Sequence, residues 1–389
     1  MSAEVISLGC RLNIAESERI AALVAQEDIV VVNSCAVTME AVRQTRQAIR
    51  RARRARPDAR LLVTGCAADI ERAQLTAMPE VDGLVPNQAK LDARSWNVPE
   101  AVAPAPKTHT RAFIAVQNGC DHACTFCVIP QGRGASRSLT IPQVLAEVER
   151  HLEAGAPEVV LTGVDVTSWG QDLSPTVPLG HLVRAILDAF PQLQRLRMSS
   201  IDGAELDPLL FELFAEAPRV MPHLHLSLQH GNDLILKRMK RRHSRADATR
   251  LVHDLKARRP DLTVGADIIA GFPTETDAHH ADNLSIIAEL PVVHGHIFPY
   301  SPRPGTPAAR MPQVEKPVIL QRAAELRAKV ADQREAWLTE LIGTPQTVLA
   351  ERGGEGYAEN FARVALPADT APGTVLSITP ATLKEGLLT

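Results

Sequence analysis

The sequence predicts an α/β fold in three parts: an N-terminal parallel βα sandwich, a central partial (β/α)6 barrel and a short C-terminal β segment. Three observations predict it. Apolar runs at 5–8, 29–32 and 61–64 are each followed by a cysteine and separated by helix-prone stretches, as in a parallel sheet covered on both faces. Six further strand-like runs alternate with helix-prone segments between 113 and 299. Residues 343–389 hold strand-like pieces at 347–350, 361–366 and 374–378.

In the first part, helix-prone segments at 15–25 and 39–54 complete three β-Cys-α units ending in Cys10, Cys35 and Cys66. Loops beyond the carboxyl ends of parallel strands open on one edge, where ligands bind. The three cysteines therefore converge, although 25 and 31 residues separate them. Core thiols, the competing reading, would not need equivalent positions. Residues 41–60 hold eight arginines against Asp58, an excess suited to phosphates; Arg50, Arg51, Arg53 and Arg54 are its RNA-binding candidates. The first part spans 1–90, and prolines 99, 104 and 106 mark 91–110 as a linker.

The barrel, 111–342, has strands expected at 113–117, 158–162, 195–199, 223–228, 262–269 and 294–299. Its first strand leads into Cys120, Cys124 and Cys127, a C-x3-C-x2-C triplet. Three thiolates so close can hold three irons of a [4Fe–4S] cluster and leave the fourth open to a small molecule. Structural zinc is the competing reading, but it commonly draws on a second C-x2-C pair, and His122 reads as a spacer. Ligand-binding candidates gather at the strand ends: Ser199, Gln229, Asp267, Gly271 and Phe298, with Gly271 allowing close approach to the backbone. Phe126 is placed to press on an adenine, and Val128 and Ile129 to line the same pocket. Lys237, Arg238, Lys240 and Arg241 form a second basic run near the mouth.

The whole chain, 389 residues with net charge −3, is no global nucleic-acid binder, so any basic footprint is local. Met1 to Ile6 lack a signal pattern, and there is no run of 18 apolar residues. A soluble, cytoplasmic protein with reduced thiols and no membrane partner is expected.

With both cysteine sets in view, the chain resembles the methylthiotransferases, a branch of the radical S-adenosylmethionine (SAM) superfamily. Ser-Leu-Gly-Cys10, Val-Asn-Ser-Cys35-Ala-Val-Thr38, Val-Thr-Gly-Cys66 and the Cys120/Cys124/Cys127 triplet look like its cluster motifs. The resemblance runs from Val5 to about Arg310. Leu161 to Gly170, His223 to Gly231 and His296 to Thr306 look most like the MtaB type, which methylthiolates C2 of N6-threonylcarbamoyladenosine at position 37 of tRNA.

The resemblance implies a radical SAM barrel and two [4Fe–4S] clusters, an auxiliary one on Cys10, Cys35 and Cys66 and one on the triplet that chelates SAM. One SAM would methylate sulfur at the auxiliary cluster, and a second would yield the radical that takes hydrogen from C2. No side chain is then the catalytic hydrogen-abstractor. tRNA and a low-potential electron donor such as flavodoxin or ferredoxin become the expected partners. Siblings acting on isopentenyladenosine 37 or on a ribosomal-protein aspartate, and an iron–sulfur electron carrier, are the alternatives. Two features depart from the family pattern. Cys10 and Cys35 lie closer than usual, by about ten residues. The tail stands where the family has its RNA-binding TRAM barrel, yet it carries Arg352, Arg363 and Lys384 against five acids, a degenerate, TRAM-like segment poor at holding phosphate.

Overall fold

A computed structural model describes residues 3–98, 110–203 and 206–389. Strands β1 (Glu4–Ser7), β2 (Ile29–Ser34), β3 (Arg60–Gly65) and β4 (Gly83–Leu84) form one parallel sheet in chain order. Alternate residues of β2 face opposite cores. Val30 and Val32 pack with Val42 and Ile49 of α2 (Met39–Ala55), while Ile29 and Val31 pack with Ile20 of α1 (Arg11–Leu23). Short helices α3 (Cys66–Ile70) and α4 (Arg72–Thr76) follow β3. The two-residue β4 is too short to show in the sequence. The prolines read as a linker, at 99–109, lie outside the described residues. Residues 91–98 are packed: Trp96 is buried and its Nε1 donates to the Lys90 carbonyl at 2.8 Å.

The barrel begins with β5 (Arg111–Ala115). An antiparallel ribbon of β6 (Gln117–Asn118) and β7 (Arg137–Ser138) brackets the cysteine loop and helix α5 (Ile129–Arg133). Helix α6 (Ile141–Glu153), β8 (Glu158–Thr162), α7 (Leu179–Ala189), β9 (Arg195–Met198) and α8 (Pro208–Glu216) follow. Then come β10 (His223–Gln229), α9 (Asp233–Arg238), α10 (Arg245–Arg258), β11 (Thr263–Ala270), α11 (Asp277–Glu289), β12 (Val292–Pro299) and α12 (Lys316–Glu340). β5–β8–β9 and β10–β11–β12 are parallel sheets, joined by parallel bridges Leu196–Val220 and Ile201–Leu226. Six strands thus stand in chain order around one core. Among the described residues β5 and β12 do not pair, so the barrel stays open. Helix α1 lies against β5 and β8, with Ile14 and Ala15 on Phe113 and Val160.

The C-terminal segment is more regular than its sequence suggested. β13 (Gln346–Ala350), β14 (Glu355–Ala358), β15 (Arg363–Ala365), β16 (Val375–Ile378), β17 (Leu383–Lys384) and β18 (Leu387–Leu388) form one mixed sheet, ordered β16-β13-β14-β15-β18-β17. Phe361, expected in a strand, is instead a turn residue with φ of 72°. This sheet docks on the starts of the barrel strands, the end away from the cysteines. Arg195 donates to the Thr347 and Tyr357 carbonyls, Arg197 to that of Ala358, and Arg111 pairs with Glu351 at 2.8 Å.

Candidate active site

Two of the early cysteines are presented by the same local device. Gly9, two residues past β1, and Gly65, the last of β3, have φ of 96° and 89°, a left-handed turn that only glycine adopts cheaply. Cys10 then caps α1 and Cys66 opens α3, so each side chain is set at the start of a helix. Cys35 lies between them: a Cβ on Gly9 would stand 2.9 Å from its sulfur. Burial pushes the Cys35 thiol up to about 11, with Cys66 and Cys10 adding to the effect. Sequence separation is thereby erased, as equivalent strand ends require.

The triplet of the barrel lies alongside. Burial raises Cys120 to about 11 and Cys127 to about 12, and Cys127 feels Cys124, Cys120 and also Cys66. Such thiols stay protonated at neutral pH until a metal displaces the proton. Backbone N–H groups of His122 and Ile129 point at the Cys120 and Cys127 sulfurs, each at 3.4 Å, and Arg241 reaches Cys124 at 3.6 Å. Helix α5 meets α3 closely: a Cβ on Gly132 would stand 3.3 Å from the Cys66 Cα. Asn87 donates to both Cys66 and the Gly132 carbonyl, and among the described residues its buried Oδ1 has no partner.

Among the described residues, the groups of three potential metal ligands whose donor atoms lie within 4.8 Å of one another are Cys120–His122–Asp165 and His225–Asp267–His296. Neither cysteine triplet is drawn in as tightly as the roughly 3.8 Å sulfur spacing around one tetrahedral zinc. Sulfurs spread over different irons of a cubane fit better. His122 is more than a spacer: its Nε2 faces the Asp165 carboxylate, Ser168 and Arg242.

A buried ion network binds the two cysteine neighbourhoods together. Glu16 of α1 accepts from Lys90 at 2.6 Å, from both terminal nitrogens of Arg133 at 2.9 and 3.1 Å, and from Asn118. Arg133 also donates to Asn13 and Asn118, and Lys90 to Asn33. Two cations share one carboxylate, and both act electrostatically on Cys66. That surplus positive charge suits a metal–thiolate group of net negative charge. No sequence motif signals it, because its members lie on α1, after β4 and on α5.

The remaining candidates sort by position. Asp267 accepts from His225 and His296, each at 3.1 Å, and from Ser200 at 3.3 Å. Burial raises its pKa, but the histidines outweigh that and hold it well below the usual carboxylate range. Gln229 has φ of 66°, a strained conformation for a non-glycine residue at the mouth. Ser199 follows β9, its N–H bonded to the Leu161 carbonyl. Phe126 packs edge-on against Phe272, ring centroids 6.4 Å apart, and Phe298 is exposed. Val128 is buried and Ile129 half-buried beside Cys127. At Gly271 the closely approaching group is Ile319 of α12, 2.5 Å from where a Cβ would stand, so helix packing accounts for this glycine.

The basic residues divide. Arg51, Arg54, Lys237 and Lys240 are exposed, and Arg50 pairs loosely with Glu80 at 3.7 Å. Arg53 instead donates to the carbonyls of Pro57, Ala59 and Glu80 and pairs with Asp82. Arg238 is bonded to Thr274, and Arg241 is buried between Asp202, the Ser227 carbonyl and Cys124. These three serve the fold and the cysteine loop rather than presenting a free guanidinium to phosphate.

Comparison with known proteins agrees with this arrangement. The chain matches the Radical SAM superfamily over residues 114–285 and Uncharacterized protein family UPF0004 over 2–86. It is 41% identical to a threonylcarbamoyladenosine tRNA methylthiotransferase MtaB of Rickettsia prowazekii, over 99% of this chain and 96% of that one. It is 33% identical to a tRNA-2-methylthio-N(6)-dimethylallyladenosine synthase of Erythrobacter litoralis, covering 90% and 86%. Among solved structures, the radical SAM methyltransferase TsrM from Kitasatospora setae, with cobalamin and a [4Fe–4S] cluster bound, shares the fold at a TM-score of 0.53 and 16% identity, covering 74% and 64%. The cysteine loop at a parallel barrel's mouth, the second thiol triplet beside it and the likeness over nearly the whole chain place it in the radical SAM methylthiotransferase family, in the MtaB-type branch, whose chemistry uses a [4Fe–4S] cluster and SAM.

Proposed function

We propose that this chain adds a methylthio group to C2 of N6-threonylcarbamoyladenosine at position 37 of tRNA, using two [4Fe–4S] clusters and two SAM. The observation that carries the reading is the meeting of both thiol triplets at one edge, bridged by Glu16, Lys90 and Arg133. When bound, the clusters and SAM supply methylation of sulfur and removal of hydrogen from C2. The chain's own residues do the rest. Cys10, Cys35 and Cys66 would hold one cluster, and Cys120, Cys124 and Cys127 the other. Arg133 and Lys90 answer their negative charge, and Arg241 steadies Cys124. Phe126, Val128, Ile129, Ser199, Gln229, Asp267 and Phe298 would line the SAM and substrate pocket, while Arg51, Arg54, Lys237 and Lys240 would hold tRNA phosphates.

The threonylcarbamoyl substrate is favoured over the dimethylallyl one by the relatives named for each, at 41% and 33% identity. A flavodoxin- or ferredoxin-type donor and a cytoplasmic setting complete the reading. Among the described residues no helix is long and apolar enough to cross a membrane. Iron on anaerobically reconstituted protein tests the two clusters: about eight irons should fall to about four in a Cys10/Cys35/Cys66 triple alanine variant. Four in both would remove the auxiliary cluster. Nucleoside analysis of tRNA from a deletion strain tests the substrate: loss of the methylthio-threonylcarbamoyl nucleoside is expected, and loss of the isopentenyl counterpart alone would overturn it.

A further inference from the structure

Arg11 follows the candidate ligand Cys10 and opens α1, where a cation opposes the helix dipole and does nothing for the helix. Its side chain goes elsewhere. Ile14 and Ala15, one turn on, lie against the lumen-facing Phe113 and Val160, and the Arg11 guanidinium sits 5.8 Å from the ring of Phe361. That ring floors the barrel. It stacks on His223 at 4.9 Å and meets His294 edge-on, with Arg111 and Arg197 at 5.5 and 4.9 Å.

The arginines of the lumen are unequally paired. Arg195 and Arg197 share Glu158, and Arg111 pairs with Glu351. Both oxygens of Asp267 are taken by His225, His296 and Ser200. Arg111, Arg195 and Arg197 each have a carboxylate within hydrogen-bond reach, and among the described residues Arg11 has none. Among the described residues Arg11 makes no hydrogen bond or ion pair, and Arg197 Nη1 is buried without an acceptor. Burial lowers the Arg11 pKa from its ordinary value, with Arg111 adding, yet an arginine so lowered keeps its charge at neutral pH. Glu158 and Asp267 act on the Arg11 guanidinium from a distance, and among the described residues neither hydrogen-bonds it; it stands one residue from a thiol proposed to bear the auxiliary cluster.

We propose that Arg11 receives the carboxylate of the substrate's N6 substituent, and so distinguishes a threonylcarbamoyl group from an apolar isopentenyl one. This rests on the substrate reading above and deepens it. A threonylcarbamoyl group carries one carboxylate, the direct acceptor that Arg11 lacks among the described residues. A guanidinium binds it through two parallel N–H donors, whereas an apolar group would cover the half-buried cation without giving it an acceptor.

The test uses anticodon stem-loop RNAs with N6-threonylcarbamoyladenosine, its methyl ester or unmodified adenosine at the target position. Binding to anaerobically reconstituted wild-type, R11K and R11Q protein is measured at fixed salt. The acid-to-ester affinity ratio is internal to each variant, so partial loss of iron cancels. Wild type should prefer the acid by about tenfold or more, R11K should keep part of that preference and R11Q none. An R11Q protein with the wild-type ratio overturns the role of Arg11. A wild type indifferent to acid and ester, binding neither better than unmodified RNA, overturns the substrate reading itself.

Discussion

Replacing Glu16 by glutamine probes the network that joins the two cysteine neighbourhoods. Glu16 and Lys90 are each 1% exposed and Arg133 is 3%, so neither cation can turn to water when the carboxylate is neutralised. Their partners in E16Q would be an amide oxygen and an amide NH2, the latter aimed at a positive charge. Breaking a buried pair by removing one partner costs about 3–5 kcal/mol, and here one carboxylate serves two cations. In urea, with a slope of about 3 kcal/mol/M, the midpoint should fall by roughly 1 M or more.

The pH dependence carries a second signature. Burial raises the Glu16 pKa, but Lys90 and Arg133 outweigh it and leave the carboxyl below its ordinary value. The folded protein therefore binds this proton less tightly than the unfolded chain. The stabilisation is complete above the unfolded value and is lost as pH falls through the folded one. Wild type should lose stability toward acid more steeply than E16Q. Equilibrium unfolding of the anaerobic, metal-free protein from pH 7 to 4 measures both. A midpoint within about 0.2 M of wild type at pH 7, with parallel acid limbs, would refute the reasoning.

Three further outcomes are expected. Gly9→Ala places a methyl 2.7 Å from Cys35 Cβ at φ of 96°, so reconstituted protein should drop from about eight irons to about four, and full iron would show that the turn tolerates a side chain. The pair R51E/R54E should weaken tRNA binding and reduce the slope of log K against log salt by about 1.5–2, whereas R53E should chiefly lower stability; equal RNA effects from both would contradict the division drawn between them. Phe361→Ala removes a half-buried ring from the lumen floor and should cost about 2 kcal/mol, near half the range for a fully buried phenylalanine, with an unchanged midpoint refuting the packing role.

What could be read in the sequence follows the range of each signal. Four-residue apolar runs announced β2 and β3 within two residues, and the cysteines after them announced their own convergence, because equivalent strand ends converge in any parallel sheet. Strands of two residues, such as β4, β17 and β18, carry no periodicity to read. Composition alone marked the basic runs, and it could not separate Arg51 from Arg53, since only folding brings Glu80 and Asp82 beneath one and not the other. Gly271 gave the right backbone freedom for a different neighbour. Arg11 and Glu16 were invisible for the same reason: each acts across an interface between segments distant in the chain.

The lumen is finished by residues from nearly opposite ends of the sequence, Arg11 from one side and Phe361 from the floor. A chain emerging from the ribosome can lay down the six barrel strands well before 346–361 arrive to close their lower edge. Until then the arginines and histidines of the floor stand in water, and the enclosure that would hold a substrate does not exist. Synthesis order thus brings the floor after the walls it closes, and ending the chain before Phe361 should leave the cysteine loops in place above an unsealed lumen.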